Sequence, residues 1–227
     1  KTNANTTIDM LENTTEPSTC EGIALNQSAY WVPVLFSADG TRIKYKEVLF
    51  YYKSGYHLPG NVIQAPPKGL VMISGHDMSQ PQDVVSAKYR CESWEAPLPQ
   101  FDEGDPMDHI PYLPKCQIGD LLEFRVVFPQ CWDGVNLTSK NNRSHMSYPI
   151  PAEVPFTGTG RCPDSHPIPI PEISYKFAVE VTKSTGLSDR WYLSSDMNES
   201  YPNGSSLHGD WMNGWDPDIM DLIVQNA

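Results

Sequence analysis

Short apolar runs cut apart by proline and glycine constrain this chain more than any other feature. The 227 residues hold 21 prolines and 15 glycines. Proline removes a backbone donor and fixes φ, so it suits strand edges and turns and not helix interiors. A chain punctuated this densely is expected to fold as short strands joined by long loops, an all-β sandwich of jelly-roll type.

Individual stretches sharpen that expectation. Residues 28–37 (SAYWVPVLFS) read as a strand interrupted by Pro33, and Asp39-Gly40 as a hairpin turn into a second run over 41–52. Residues 69–74 (GLVMIS) and 121–128 (LLEFRVVF) read as buried strands. In the latter, Leu122, Phe124, Val126 and Phe128 point one way and Leu121, Glu123 and Arg125 the other. A further strand lies within 84–93, and 168–181 is proline-broken at first and regular afterwards. Residues 191–195 form a short strand, and His208-Gly209-Asp210 reads as loop. Asp216 followed by Pro217 announces a terminal helix over 217–225, because an acidic cap and a proline at the first helical position match the needs of a helix start.

Seven Asn-x-Ser/Thr sequons, at Asn5, Asn13, Asn26, Asn136, Asn142, Asn198 and Asn203, imply a secreted, N-glycosylated protein. Lys1 opens onto a polar Thr/Asn stretch and is expected to be a processed or truncated start. No run of 18 apolar residues exists to span a bilayer. The formal net charge of −12 makes nucleic acid and anionic membrane surfaces poor partners. No linker-like change of composition divides the chain, so 1–227 is read as a single extracellular domain with a polar arm over 1–20.

The five cysteines lack metal-site spacing and, in such a chain, read as two disulfides and one remainder. The expected pairs are Cys91–Cys116 and Cys131–Cys162. Each closes a loop that stabilises the fold by about 3–4 kcal/mol through chain entropy. Cys20 is left over.

Chemistry is less legible. The histidines are His57, His76, His109, His145, His166 and His208. Of these, His145 and His208, with Asp133 or Asp210, are the candidate catalytic groups, forming a metal site or an acid/base pair. The competing reading has the same histidines bonding loop backbone. Trp132, Trp211 and Trp215, with Trp31, are candidates for stacking sugar rings, against the commoner use of tryptophan in cores. The acidic loop 102–108 lacks EF-hand spacing. No organic cofactor is implied, and a metal ion is the one inorganic candidate.

The blocks FPQCWDGVNL, RSHMSYP, CPDSHPIPIP and LHGDWMNGWD, with SAYWVPVLF and GLVMISG before them, run in order along the chain. Together they make it resemble the secreted domain-of-unknown-function family nineteen-ninety-six of fungi and actinobacteria. The resemblance implies an extracellular domain, often joined to carbohydrate-binding modules of the WSC type, with no established activity. Cys131, Trp132, Asp133, Gly134, Ser144, His145, Cys162, His166, His208, Gly209, Asp210, Gly214 and Trp215 match its pattern. Two departures stand out. The family's leading Ser-His-x-His segment is missing. Where the family reads Leu-Asp-Ser-Pro-Asp-His, this chain has Leu137, Thr138, Ser139, Lys140, Asn141 and Asn142, so potential ligands are replaced and two sequons arise. The leading expectation is a glycosylated structural or adhesive protein without catalysis, such as a fibre or matrix subunit. It would contact itself, other extracellular glycoproteins or polysaccharide. The alternative is a polysaccharide-binding or polysaccharide-processing domain at His145, His208 and Asp210.

Overall fold

The protein is seen in a computed structural model that describes residues 7, 9–10, 25–55, 57–76, 86–92, 110–151, 158–196 and 200–226. Cys20, the acidic loop 102–108, His109, most of the N-terminal arm and the sequons at Asn5, Asn13 and Asn198 lie outside the described residues.

The strands come in chain order as β1 (Ala29–Trp31), β2 (Leu35–Phe36), β3 (Glu47–Lys53), β4 (Val71–Gly75), β5 (Ala87–Glu92) and β6 (Leu121–Val127). They continue as β7 (Cys131–Trp132), β8 (Met146–Ser147), β9 (Ile168–Pro169), β10 (Glu172–Glu180), β11 (Tyr192–Leu193) and β12 (His208–Met212). They pair antiparallel in four sheets, ordered β3-β10-β6-β5, β1-β12-β4, β8-β7-β9 and β11-β2. The fold is therefore all-β, with one C-terminal helix, α1 (Pro217–Gln225). The jelly-roll winding stays an expectation, since these pairings do not establish it.

Turn chemistry behaves as its residues require. Gly40 takes φ 82°, the left-handed region that glycine enters without a Cβ clash. Asp39 Oδ1 accepts from Ser37 Oγ at 2.7 Å and from Thr41 N at 3.0 Å, which closes the hairpin. Helix α1 starts where Asp216 accepts from the backbone N–H groups of Asp218 and Ile219, satisfying two donors that the first turn leaves orphaned.

The two larger sheets meet across an aromatic layer. Central strand β10 supplies Tyr175 and Phe177, β6 supplies Phe124, and β3 supplies Phe50 and Tyr52. Phe124 and Phe177 stack at 4.9 Å, and Tyr30 of β1 stacks on Phe50 at 4.2 Å. On β6 the alternation is as expected on one face, with Leu122, Phe124, Val126 and Phe128 buried. On the other face Glu123 is only 1% exposed. Arg125 Nε at 2.7 Å, Lys176 Nζ at 3.1 Å and Arg90 Nη2 at 3.3 Å surround its carboxylate. Burial pushes the Glu123 carboxyl up, but Arg125, Arg90 and Lys176 outweigh it and hold the group below the usual range. That face is a paired charge ladder, and long cationic side chains close over it.

Strand β12 corrects the reading of 208–210 as loop. It is the middle of its sheet, pairing with β1 through Ala29↔Met212 and Trp31↔Asp210, and with β4 through His208↔Gly75 and Asp210↔Ile73. Glycine at 209 lets it lie against the aromatic layer, because a Cβ there would sit 2.9 Å from the Tyr175 ring. Tyr175 donates to the Asp210 carbonyl at 2.7 Å. Past its end, a Cβ on Gly214 would come within 2.4 Å of the Gln27 backbone.

Both expected disulfides form, Cys91–Cys116 and Cys131–Cys162, closing separations of 25 and 31 residues. The second ties β7 to the segment leading into β9. The intervening loop 133–145 runs beside the free edge of β4, where Val71 N donates to Leu137 O at 2.8 Å and Ile73 N to Asn142 O at 3.0 Å. A sheet edge that would otherwise expose unpaired amides is thereby covered.

Candidate functional site

The candidate groups separate into two centres along β4. At the Val71 end lies the loop after Trp132. Asp133 Oδ1 accepts from Val135 N and Asn136 N, each at 2.9 Å, and its Oδ2 accepts from Asn136 Nδ2 at 2.7 Å. This is an Asx turn, in which a short carboxylate side chain caps its own backbone. Burial nudges the Asp133 carboxyl upward, and the donated bonds from Asn136 and Val135 bring it below its usual value. Trp132 Nε1 donates to Asn136 O at 2.7 Å across the same turn.

His145 is 2% exposed. Its Nε2 lies 2.7 Å from the Val71 carbonyl, which can only accept, so Nε2 carries the proton. Nδ1 of the neutral ring then accepts from Ser139 Oγ at 2.9 Å. Burial drives the imidazole's basicity down, against the Val71 bond and the Asp133 charge. His166 lies nearby, with Nδ1 2.9 Å from Ser165 Oγ and Nε2 3.2 Å from the Ser144 carbonyl.

At the Gly75 end, His208 and Asp210 project from alternate positions of β12 on the face away from the aromatic layer. Both side chains are 31% exposed, and His208 Nε2 lies 3.8 Å from Asp210 Oδ2. His208 Nδ1 donates to the Ser206 carbonyl at 2.8 Å, which aims Nε2 at the carboxylate. Burial raises the Asp210 carboxyl above its usual value, while His208 and Arg143 pull it the other way. Arg143 is fixed by an Nη1 bond of 3.0 Å to Gly75 O. His145 and His208 thus attach four residues apart on one strand, roughly 13 Å at about 3.3 Å per residue. They do not share a site. Among the described residues no group of three His, Cys, Asp or Glu side chains could hold a metal ion.

The tryptophans also divide. Trp211 is 0% exposed and donates from Nε1 to Tyr52 Oη at 3.1 Å, so it is a core residue and not a stacking surface. Trp215, half-buried, donates to the same hydroxyl at 3.1 Å. Trp31 is half-buried, directly across from Asp210. Sequence reasoning missed Arg143, which was visible only as the middle residue of a sequon.

One sequon is corrected. Asn26 is 4% exposed, with Nδ2 donating to Tyr30 Oη at 3.1 Å and Oδ1 accepting from Ser28 N at 3.1 Å. The fold leaves no path for a sugar from that amide. Asn136 and Asn203 are exposed, and Asn142 is half-buried at φ 52°.

No curated protein and no solved structure matches the chain. The model of one family, described as Domain of unknown function (DUF1996), matches residues 1–215. The chain belongs to the DUF1996 family.

Proposed function

We propose that this chain forms a single extracellular domain with a structural or adhesive role, N-glycosylated on its surface and without catalysis. It would work by contact with further copies of itself, with other glycoproteins or with polysaccharide. The observation that carries this reading is the engagement of Asp133 and His145. Proton transfer or metal binding needs a ring nitrogen or carboxylate oxygen open to a second partner. Here both oxygens of Asp133 cap its own loop and both nitrogens of His145 bond the scaffold. Two disulfides suit an oxidising compartment. No helix among the described residues is long and apolar enough to cross a membrane.

The test is expression through a eukaryotic secretory pathway, followed by glycopeptide mass spectrometry and sedimentation. Sugar on Asn136 and Asn203, none on Asn26, and association with itself or with a matrix polymer are expected. A strictly monomeric, non-retained protein with Asn136, Asn142 and Asn203 all bare would overturn the proposal. Polysaccharide processing is the second reading, favoured by the half-open His208–Asp210 pair. Release of sugar products by the native chain, lost in Asp210→Asn, would establish it in place of the first.

A further inference from the structure

We infer that the outer face of the β1-β12-β4 sheet holds a binding subsite for one neutral pyranose ring, built from Trp31, Asp210, His208 and Arg143. The inference rests on the adhesive reading and names the chemistry to which the domain would adhere.

Register places the groups. Trp31, Asp210 and Ile73 are direct cross-strand partners in one row of the sheet, and His208 stands two residues along from Asp210, opposite Gly75. Cross-strand partners lie on the same face about 5 Å apart, so the indole, carboxylate and imidazole share one surface. Trp31 is seated on a small apolar cluster of Ala29, Met212 and Val71 that is separate from the main core. Its Nε1 is buried and meets no acceptor among the described residues. Packing alone therefore orients the ring.

A pyranose offers an apolar face of C–H groups and a rim of hydroxyls, each able to donate and accept. It is recognised where an aromatic face lies beside charged side chains that accept and donate. Asp210 supplies the acceptor. His208 Nε2 supplies a second polar atom, because Nδ1 is held by Ser206 O. Arg143, anchored on Gly75 O, adds a donor within electrostatic reach of Asp210. A carboxylate at the centre of the row disfavours uronic acids and other anionic sugars. Two ligand-type groups are too few for a tightly held metal ion.

Two further charged clusters among the described residues are closed to a ligand. Glu172, 3% exposed, is engaged by Lys53, His57 and Gln130, and Glu123 is covered by its three cations.

The experiment is calorimetric titration of the full chain with hexasaccharides of β-1,3-glucose, β-1,4-N-acetylglucosamine and α-1,6-mannose, with hexagalacturonate as the anionic counterpart. Trp31→Ala and Asp210→Asn are the site variants, Trp132→Ala, in the β8-β7-β9 sheet, is the control, and Tm is recorded for each. Asp210→Asn keeps the side-chain shape, so it reads the site even if Trp31→Ala perturbs the sheet. Binding of at least one neutral hexasaccharide is expected, weakened about tenfold or more by either site variant, the scale of one lost charge-assisted bond. Trp132→Ala should leave it unchanged. No binding of any neutral hexasaccharide, tighter binding of hexagalacturonate, or affinity indifferent to both site variants would overturn the inference. A domain that self-associates yet binds no hexasaccharide would sink this subsite and leave the adhesive reading standing.

Discussion

The two ends of β4 carry the same residue types, a histidine and an aspartate, in opposite states. At the Val71 end, Asp133 is held by Val135 and Asn136 of its own surface turn, and the buried His145 by the Val71 carbonyl and the Ser139 hydroxyl. At the Gly75 end, His208 and Asp210 face outward at 31% exposure each, 3.8 Å apart. The loop centre is engaged by its own fold, while the strand centre leaves both side chains partly open to solvent. Burial works against the Asp210 charge where it sits.

The largest break in this contrast should come from His145→Ala. It removes a buried ring and takes from the Val71 carbonyl its imidazole donor, a loss of about 2–4 kcal/mol. Denaturant unfolding will read it, and a loss below that of His208→Ala would reverse the assignment of scaffold and surface.

Acid should act on the same scaffold. The Glu123 and Glu172 carboxyls are depressed by their cationic neighbours. Each contributes stability that is present above the ordinary glutamate value and lost as pH falls through the folded value. The folded His145 is less basic than a free imidazole, so the unfolded chain takes up a proton first and stability begins to fall below about pH 6.5. Thermal melts from pH 8 to 3 should decline in two stages, and His145→Gln should remove the upper one. A flat profile between pH 7 and 5 would contradict the buried neutral ring.

A smaller effect is expected from Asp133→Ala, which unlatches one surface turn at a cost of about 1 kcal/mol. It should leave any glycan affinity untouched. Smallest of all, His208→Ala and Asp210→Asn should change stability by no more than about 0.5 kcal/mol. For Asp210→Asn the sign should be favourable, because an amide replaces a carboxylate whose ionisation burial opposes. A clear drop in Tm for Asp210→Asn would make the strand centre scaffold as well.

Much of the fold was legible in local chemistry. Period-two patterning marked β6 and most of β10, Asp39-Gly40 marked its hairpin, and Asp216-Pro217 placed α1 at the residues where it is found. The pairs Cys91–Cys116 and Cys131–Cys162, expected in part because a long loop needed tying down, are the ones that form. Strand β12 was missed because His-Gly-Asp-Trp-Met carries a glycine and two polar residues. Its place in the sheet comes from Gly209 meeting the Tyr175 ring, a contact between segments far apart in the chain. For the same reason, sequence offered Asn26 as a glycan acceptor and Trp211 as a stacking surface, and packing buried both.

The chain by itself determined its class and its terminal helix, because periodicity, turn residues and capping act within a few residues of one another. Which histidine is scaffold and which is surface depended on β4, whose carbonyl at Val71 captures His145 while its far end leaves His208 beside Asp210. That choice rests on partners more than sixty residues away in sequence, so only the tertiary structure could make it.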